Sequence, residues 1–73
     1  MIHKMKLNKS PFERIKNGTK TIEFRLYDEK RQQIKVGDKI EFSKLPDLQE
    51  KLLVDIYWRH HLNHGWEIEF MLK

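Results

Sequence analysis

Three residues in the segment Gly18-Thr19-Lys20-Thr21-Ile22-Glu23-Phe24-Arg25 have the types and the spacing to do chemistry: Lys20, Glu23 and Arg25. A lysine beside a carboxylate, if both are withdrawn from water, can carry a proton or hold a phosphate or carbonyl oxygen. An arginine next to them adds a planar fork that grips an anion with two parallel N–H bonds. The spacing sets a condition on that chemistry. On a regular strand Glu23 and Arg25 share one side, while Lys20, three positions before Glu23, points away. The three meet only if Lys20 sits in the Gly18-Thr19 turn or at a bulge. The plainer alternative is a charge ladder on the solvent face of an antiparallel pair.

Basic residues crowd the first half of the chain, from Lys4 to Lys35, with Arg31 among them, and Tyr27, Tyr57, Trp58 and Trp66 offer flat aromatic faces. Charge to follow a phosphate backbone and rings to stack on bases are what single-stranded RNA recognition uses. Lysines mixed with Glu and Asp on a solvated surface, and tryptophans closing a small core, are the competing explanation. The cluster His60-His61 and His64 places two imidazoles four residues apart, as metal sites on helices do. With no cysteine and no carboxylate at ligand spacing, it reads as a solvated turn, and no metal or other cofactor is assigned. No Ser/His/Asp or Cys/His set is available for nucleophilic catalysis.

The elements that must position these residues follow from pattern. Ser10-Pro11-Phe12-Glu13 has the form of a capping box, with Ser10 as N-cap, Pro11 at the first helical position and Glu13 reaching back to the Ser10 amide. The helix it opens is about two turns long and stops at Asn17-Gly18. So short a helix is unstable alone, so Phe12 and Ile15 must pack on something else, a sheet. Thr21 to Leu26 alternates, which predicts a strand with Ile22, Phe24 and Leu26 on the core face. A charged loop over 28–33 and a tight turn at Val36-Gly37-Asp38 lead into Lys39 to Phe42, with Ile40 and Phe42 inward. Trp66 to Leu72 alternates with Trp66, Ile68, Phe70 and Leu72 inward, and the neighbourhood of Lys6-Leu7 suggests a further strand. The stretch from Leu45 to Leu62 fits either a helical stripe of Leu48, Leu52, Leu53, Ile56 and Tyr57 or a strand with Leu52, Val54, Ile56 and Trp58 on one face, and pattern alone leans to helix. Short strands around one short helix make a mainly β, α+β domain, a small barrel or sheet.

Seventy-three residues with 38% hydrophobic content allow one folded domain, spanning 1–73, and no second. Its core can only just offset the ordering entropy, which leaves room for a homodimer. The absence of cysteine removes a disulfide framework and points to a reducing, cytoplasmic setting. No signal-like or membrane-length apolar run is present, so no membrane partner is expected. A charge of +4, from 15 Lys and Arg against 11 Asp and Glu, is compatible with nucleic acid without requiring it.

The run from Gly18 through Lys20 and Glu23 to Arg25 resembles the G-x-K-x-x-E-x-R motif of the ASCH domain family. The likeness extends over Leu7-Asn8, Pro11-Phe12, Arg25 to Gln32 and Ile34 to Asp38, roughly the first 42 residues, and the last strand looks like the closing strand of these domains. The middle departs, being shorter than usual, so the chain is similar to a trimmed member. The resemblance implies a PUA-like β-barrel with one short N-terminal helix, and a strand over Lys51 to Trp58 pairing with Lys39 to Ser43. It also implies an RNA- or nucleotide-binding module whose cleft beside the helix uses Lys20, Glu23, Arg25, Tyr27 and Arg31. Lys20 and Arg25 would hold oxygens and Glu23 would accept from a base amino group. Some members are small amidohydrolases acting on acetylated cytidine nucleosides, and in that alternative Lys20 and Glu23 are the catalytic candidates. Those members have a threonine where Glu23 stands, and a distant glutamate with no clear counterpart in this chain.

Overall fold

A computed structural model of the chain describes residues 1–62 and 67–72. The expected inward position of Trp66 and the His64 end of the histidine cluster lie outside the described residues. In chain order the elements are β1 (Ile2–Leu7), α1 (Lys9–Lys16), β2 (Ile22–Leu26), α2 (Glu29–Gln32), β3 (Lys39–Lys44), β4 (Lys51–His61) and β5 (Glu67–Leu72). The strands lie in the order β1-β3-β4-β5-β2, with β1 parallel to β3 and the other pairs antiparallel. The sheet curls into a mixed half-barrel whose two edge strands, β1 and β2, do not pair with each other.

The core follows alternation along the inner strands. Met5 and Leu7 on β1, Ile40 and Phe42 on β3, Val54 and Ile56 on β4, and Ile68, Phe70 and Leu72 on β5 are buried together with Phe12 and Ile15 of the helix. The strand reading of Lys51 to Trp58 is therefore the right one, with Ile40 opposite Val54 and Phe42 opposite Leu52. Ile34, delivered by the segment between α2 and β3, is also fully buried. Two turns use glycine where a left-handed backbone is required: Gly18 at φ +85° ends α1 and Gly37 at φ +96° turns the chain into β3.

The structure corrects four expectations. On β2 the faces are the reverse of those predicted, with Glu23 buried at 5% exposure while Phe24 and Leu26 are 49% and 64% exposed. The cause is the neighbouring strand. Glu23 lies opposite Phe70 and Arg25 opposite Ile68, and residues opposite each other in an antiparallel pair share a face. Since β5 turns Ile68 and Phe70 to the core, β2 must turn Glu23 and Arg25 the same way, which also removes the solvent-face charge ladder as an account of those two. Similarly, Trp58 does not continue the inward series of Val54 and Ile56. A bulge between Ile56 and Trp58 shifts the register, so Trp58 pairs with Met71 on the outer face and Arg59 with Phe70 on the inner one. Arg59 then donates from Nη1 to the Ile34 carbonyl at 2.6 Å.

The helix start and the helix count also differ. The predicted capping box does not form: α1 begins at Lys9, Asn8 is the N-cap in extended backbone, and no side chain caps it. Pro11 still falls in the first turn, where a missing N–H leaves no hydrogen bond unmade. The Glu13 carboxylate goes to Lys44 at 2.8 Å, and Lys44 reaches Glu50 at the same distance, tying the helix to the loop after β3. The charged segment after β2 holds a second short helix, α2, because Asp28 caps it by accepting from the Arg31 amide at 3.0 Å and from Arg31 Nη1 at 2.7 Å. The amino end is fastened by a buried His3, whose Nε2 lies 2.8 Å from Asp38 Oδ2. Among the described residues no helix is long and apolar enough to cross a membrane.

Candidate functional site

The register that buries Glu23 builds the site. Chain reversal at Gly18 leaves Lys20 outside β2, with its amide on the Arg14 carbonyl at 2.9 Å, so its side chain is free of strand alternation and turns toward Glu23. Lys20 Nζ stands 3.5 Å from Glu23 Oε1, and Arg25 Nη2 stands 3.2 Å from Glu23 Oε2. One buried carboxylate is therefore held between two cations whose side chains are 24% and 21% exposed. These three sequence candidates come together, by the turn geometry that their spacing required.

The trio opens on a cleft of about 360 Å³ between β1, β2 and the start of α1. Besides the trio, its walls come from Lys6, Leu7, Asn8, Pro11, Phe24 and Leu45. It has a charged floor and apolar sides, and Lys20 and Arg25 leave N–H groups beyond those that Glu23 takes. Such a place can hold a planar polar ring or an anionic group.

A second cavity of about 420 Å³ lies on the other side of Arg25. Lys4, Met5, Lys6, Arg25, Lys30, Arg31 and Ser43 line it, so Arg25 and Lys6 are common to both. Its edge is the unpaired side of β1. The carbonyls of Met1 and Leu7 accept from Lys39 and Leu45, at the two ends of the β3 side. Alternation therefore turns the backbone groups of Lys4 and Lys6 the other way, toward β2. Side chains reach them there: Lys30 Nζ donates to the Lys4 carbonyl at 2.7 Å and Arg25 Nη2 to the Lys6 carbonyl at 3.2 Å.

The remaining candidates are divided. Arg31 is at the second cavity, with Nη1 on Asp28 and its Nε buried without a hydrogen-bond partner. The Asp28 carboxyl is held below its ordinary value by the Arg31 amide first and then by the guanidinium. Tyr27 lines neither cavity; it packs on the core and its ring centroid is 3.9 Å from that of His61. His60 pairs with Glu69 at 3.2 Å, and no cluster of three metal-ligating residues exists among the described residues. Sequence reasoning missed the second cavity as a unit. Its only signal was the alternation of Lys4 and Lys6 on a strand whose edge position cannot be read locally.

The fold has a close counterpart among solved structures. The crystal structure of hypothetical protein PH0355 superposes with a TM-score of 0.79 at 23% identity, covering 100% of this chain and 98% of that one, a likeness of fold. No curated protein matches the sequence. The family model of the ASCH domain matches residues 5–67, which takes in the cleft with the Lys20, Glu23 and Arg25 trio, all of the second cavity's lining but Lys4, and the strands from Met5 of β1 to the first residue of β5. This chain belongs to the ASCH domain family, whose fold is PUA-like.

Proposed function

We propose that the protein is an RNA- or nucleotide-binding module that takes one nucleotide unit into the cleft beside α1. The observation that carries this reading is the buried Glu23 between Lys20 and Arg25. Well-packed apolar residues stabilise a core as well as or better than a buried ionic group does, so such a group at the floor of a cleft calls for a use other than stability. Glu23 accepts from an exocyclic base amine, while Lys20 and Arg25 donate to ring carbonyl or phosphate oxygens. ASCH membership supports the same reading, since these domains are associated with RNA. The lining favours binding over hydrolysis: it holds one carboxylate and no hydroxyl, so an amide-cleaving centre would have to work with Lys20 and Glu23 alone.

The test is titration of a short single-stranded RNA at several salt concentrations with the parent and with Lys20→Met, alongside incubation with N4-acetylcytidine. Binding that weakens with salt, weakens further in the variant and comes without deacetylation is the expected outcome. Deacetylation lost in Lys20→Met would replace the binding module by the hydrolase. Neither binding nor turnover would leave the trio as scaffolding.

A further inference from the structure

The cavity beyond Arg25 has a chemistry of its own. Lys4, Lys6, Arg25, Lys30 and Arg31 converge on it with no carboxylate in its lining. Among the described residues Lys4, Lys6 and Lys30 make no ion pair with an acidic side chain, although 11 Asp and Glu are present in a chain this small. Like charges gathered in one concavity repel one another, and a counter-charge relieves that repulsion. Ser43 adds a nearly buried hydroxyl: its oxygen accepts from Lys51 Nζ at 3.4 Å, which leaves the O–H to donate. Arg31 adds a buried Nε that nothing satisfies. Every charged group here is a donor, whereas the Glu23 cleft sets a carboxylate among its cations.

Resting on the reading of the Glu23 cleft given above, we infer that this second cavity is a phosphate subsite and that Arg25 and Lys6 bridge it to the base. The ligand is then a phosphorylated nucleotide unit rather than a nucleoside, its base against Glu23 and its phosphate among Lys4, Lys30, Arg31 and Ser43. A free mononucleotide and the backbone of RNA both supply such a phosphate, and the chemistry of recognition is the same. Phosphate oxygens suit arginine forks and lysine ammonium groups alike.

The test compares cytidine and adenosine with their 5′-monophosphates, inorganic phosphate and an RNA oligonucleotide, using the parent, the double variant Lys30→Met/Arg31→Met and Glu23→Gln. Thermal unfolding of each variant first confirms that it folds; Lys30→Met alone, which leaves the Arg31 contacts to Asp28 in place, serves if the double variant does not and should reduce the same advantage. Monophosphates should bind about tenfold or more tightly than the nucleosides in the parent, as one added charge-assisted contact provides. The double variant should remove that advantage and leave nucleoside binding unchanged, and Glu23→Gln should weaken nucleosides and monophosphates together. Binding of RNA but not of monophosphates, still sensitive to the double variant, supports the subsite and identifies its source as the RNA backbone. Equal binding of nucleosides and monophosphates, indifferent to the double variant, overturns the subsite while the Glu23 reading stands. Phosphate-dependent binding that Glu23→Gln does not touch overturns the placement of the base and retains the subsite. Loss of all binding in the parent overturns both.

Discussion

Removing the Glu23 carboxylate tests the inverted β2 strand and the ionic trio together. In Glu23→Ala, Lys20 and Arg25 lose a partner that is 5% exposed and lies within 3.5 Å of one and 3.2 Å of the other. Breaking a fully buried pair costs about 3–5 kcal/mol, because it strands an uncompensated charge. Here the surviving cations are 24% and 21% exposed and recover part of their hydration, so the cost falls to about 2 kcal/mol. For a domain of this length that is a fall in Tm of about 8–16 °C. Glu23→Gln keeps the volume and an acceptor for Arg25 and should lose about half as much, on the order of 1 kcal/mol. The contrasting variant is Lys20→Met/Glu23→Leu/Arg25→Met, in which no charge is stranded; it should come out near the parent in stability, as replaced buried ion pairs often do, while ligand binding disappears. Differential scanning calorimetry and urea unfolding on the four proteins decide the matter. A Glu23→Ala Tm within about 2 °C of the parent would refute the argument, since a loss of 2 kcal/mol should move it several times further.

Three further outcomes are expected. Phe24→Ser with Leu26→Thr should change stability by no more than about 0.5 kcal/mol, whereas Phe70→Ala, opposite Glu23 on the next strand, should cost about 3–5 kcal/mol; urea midpoints in the reverse order would mean that β2 faces the other way. Asp38, held at about 2 by the His3 hydrogen bond and then by the Lys35 amide, and Glu50, held at about 2 by Lys16 and then Lys44, both have folded values below their ordinary ones. The stability they contribute is complete above the ordinary carboxylate range and is lost as pH falls from about 4 through 2, so Tm should drop across that window and Asp38→Asn should flatten part of the drop. Gly18→Ala and Gly37→Ala should each cost about 1–2 kcal/mol from backbone conformation alone, because nothing lies within 4 Å of the added methyl; asparagine at either position should recover part of it in thermal unfolding.

Much of the fold was legible because alternation is a short-range signal. Ile40 with Phe42, and Ile68 with Phe70 and Leu72, identify their strands and inner faces without reference to anything distant. Gly18 and Gly37 mark turns because the positive φ they adopt is costly for other residues. Where the sequence misleads, the deciding partner is remote. Ile22, Phe24 and Leu26 read as a core face by local hydrophobicity, and only their pairing with β5, more than forty residues away, turns them outward. Glu13 reads as a cap because it is three residues from Ser10, and Lys44, thirty-one residues on, takes it instead. The bulge that turns Trp58 outward leaves no mark in composition. At the site, the condition for Lys20 to meet Glu23 was readable from spacing. The second cavity was not, because it is assembled from β1, β2, α2 and β3 by an edge-to-edge approach that no single segment encodes.

The approach of β1 to β2 has a consequence for how such a domain can vary. Elsewhere in the sheet the spacing of neighbouring strands is fixed by backbone hydrogen bonds, whatever the side chains are. At this one junction the span is bridged by Arg25 and Lys30 reaching carbonyls of β1. The width there is set by side-chain length, so a single substitution can enlarge or narrow the opening while every ladder in the sheet stays as it is. Selection for a larger or smaller guest can act on position 30 at little risk to the rest of the fold, whereas position 25 is also tied to the buried Glu23.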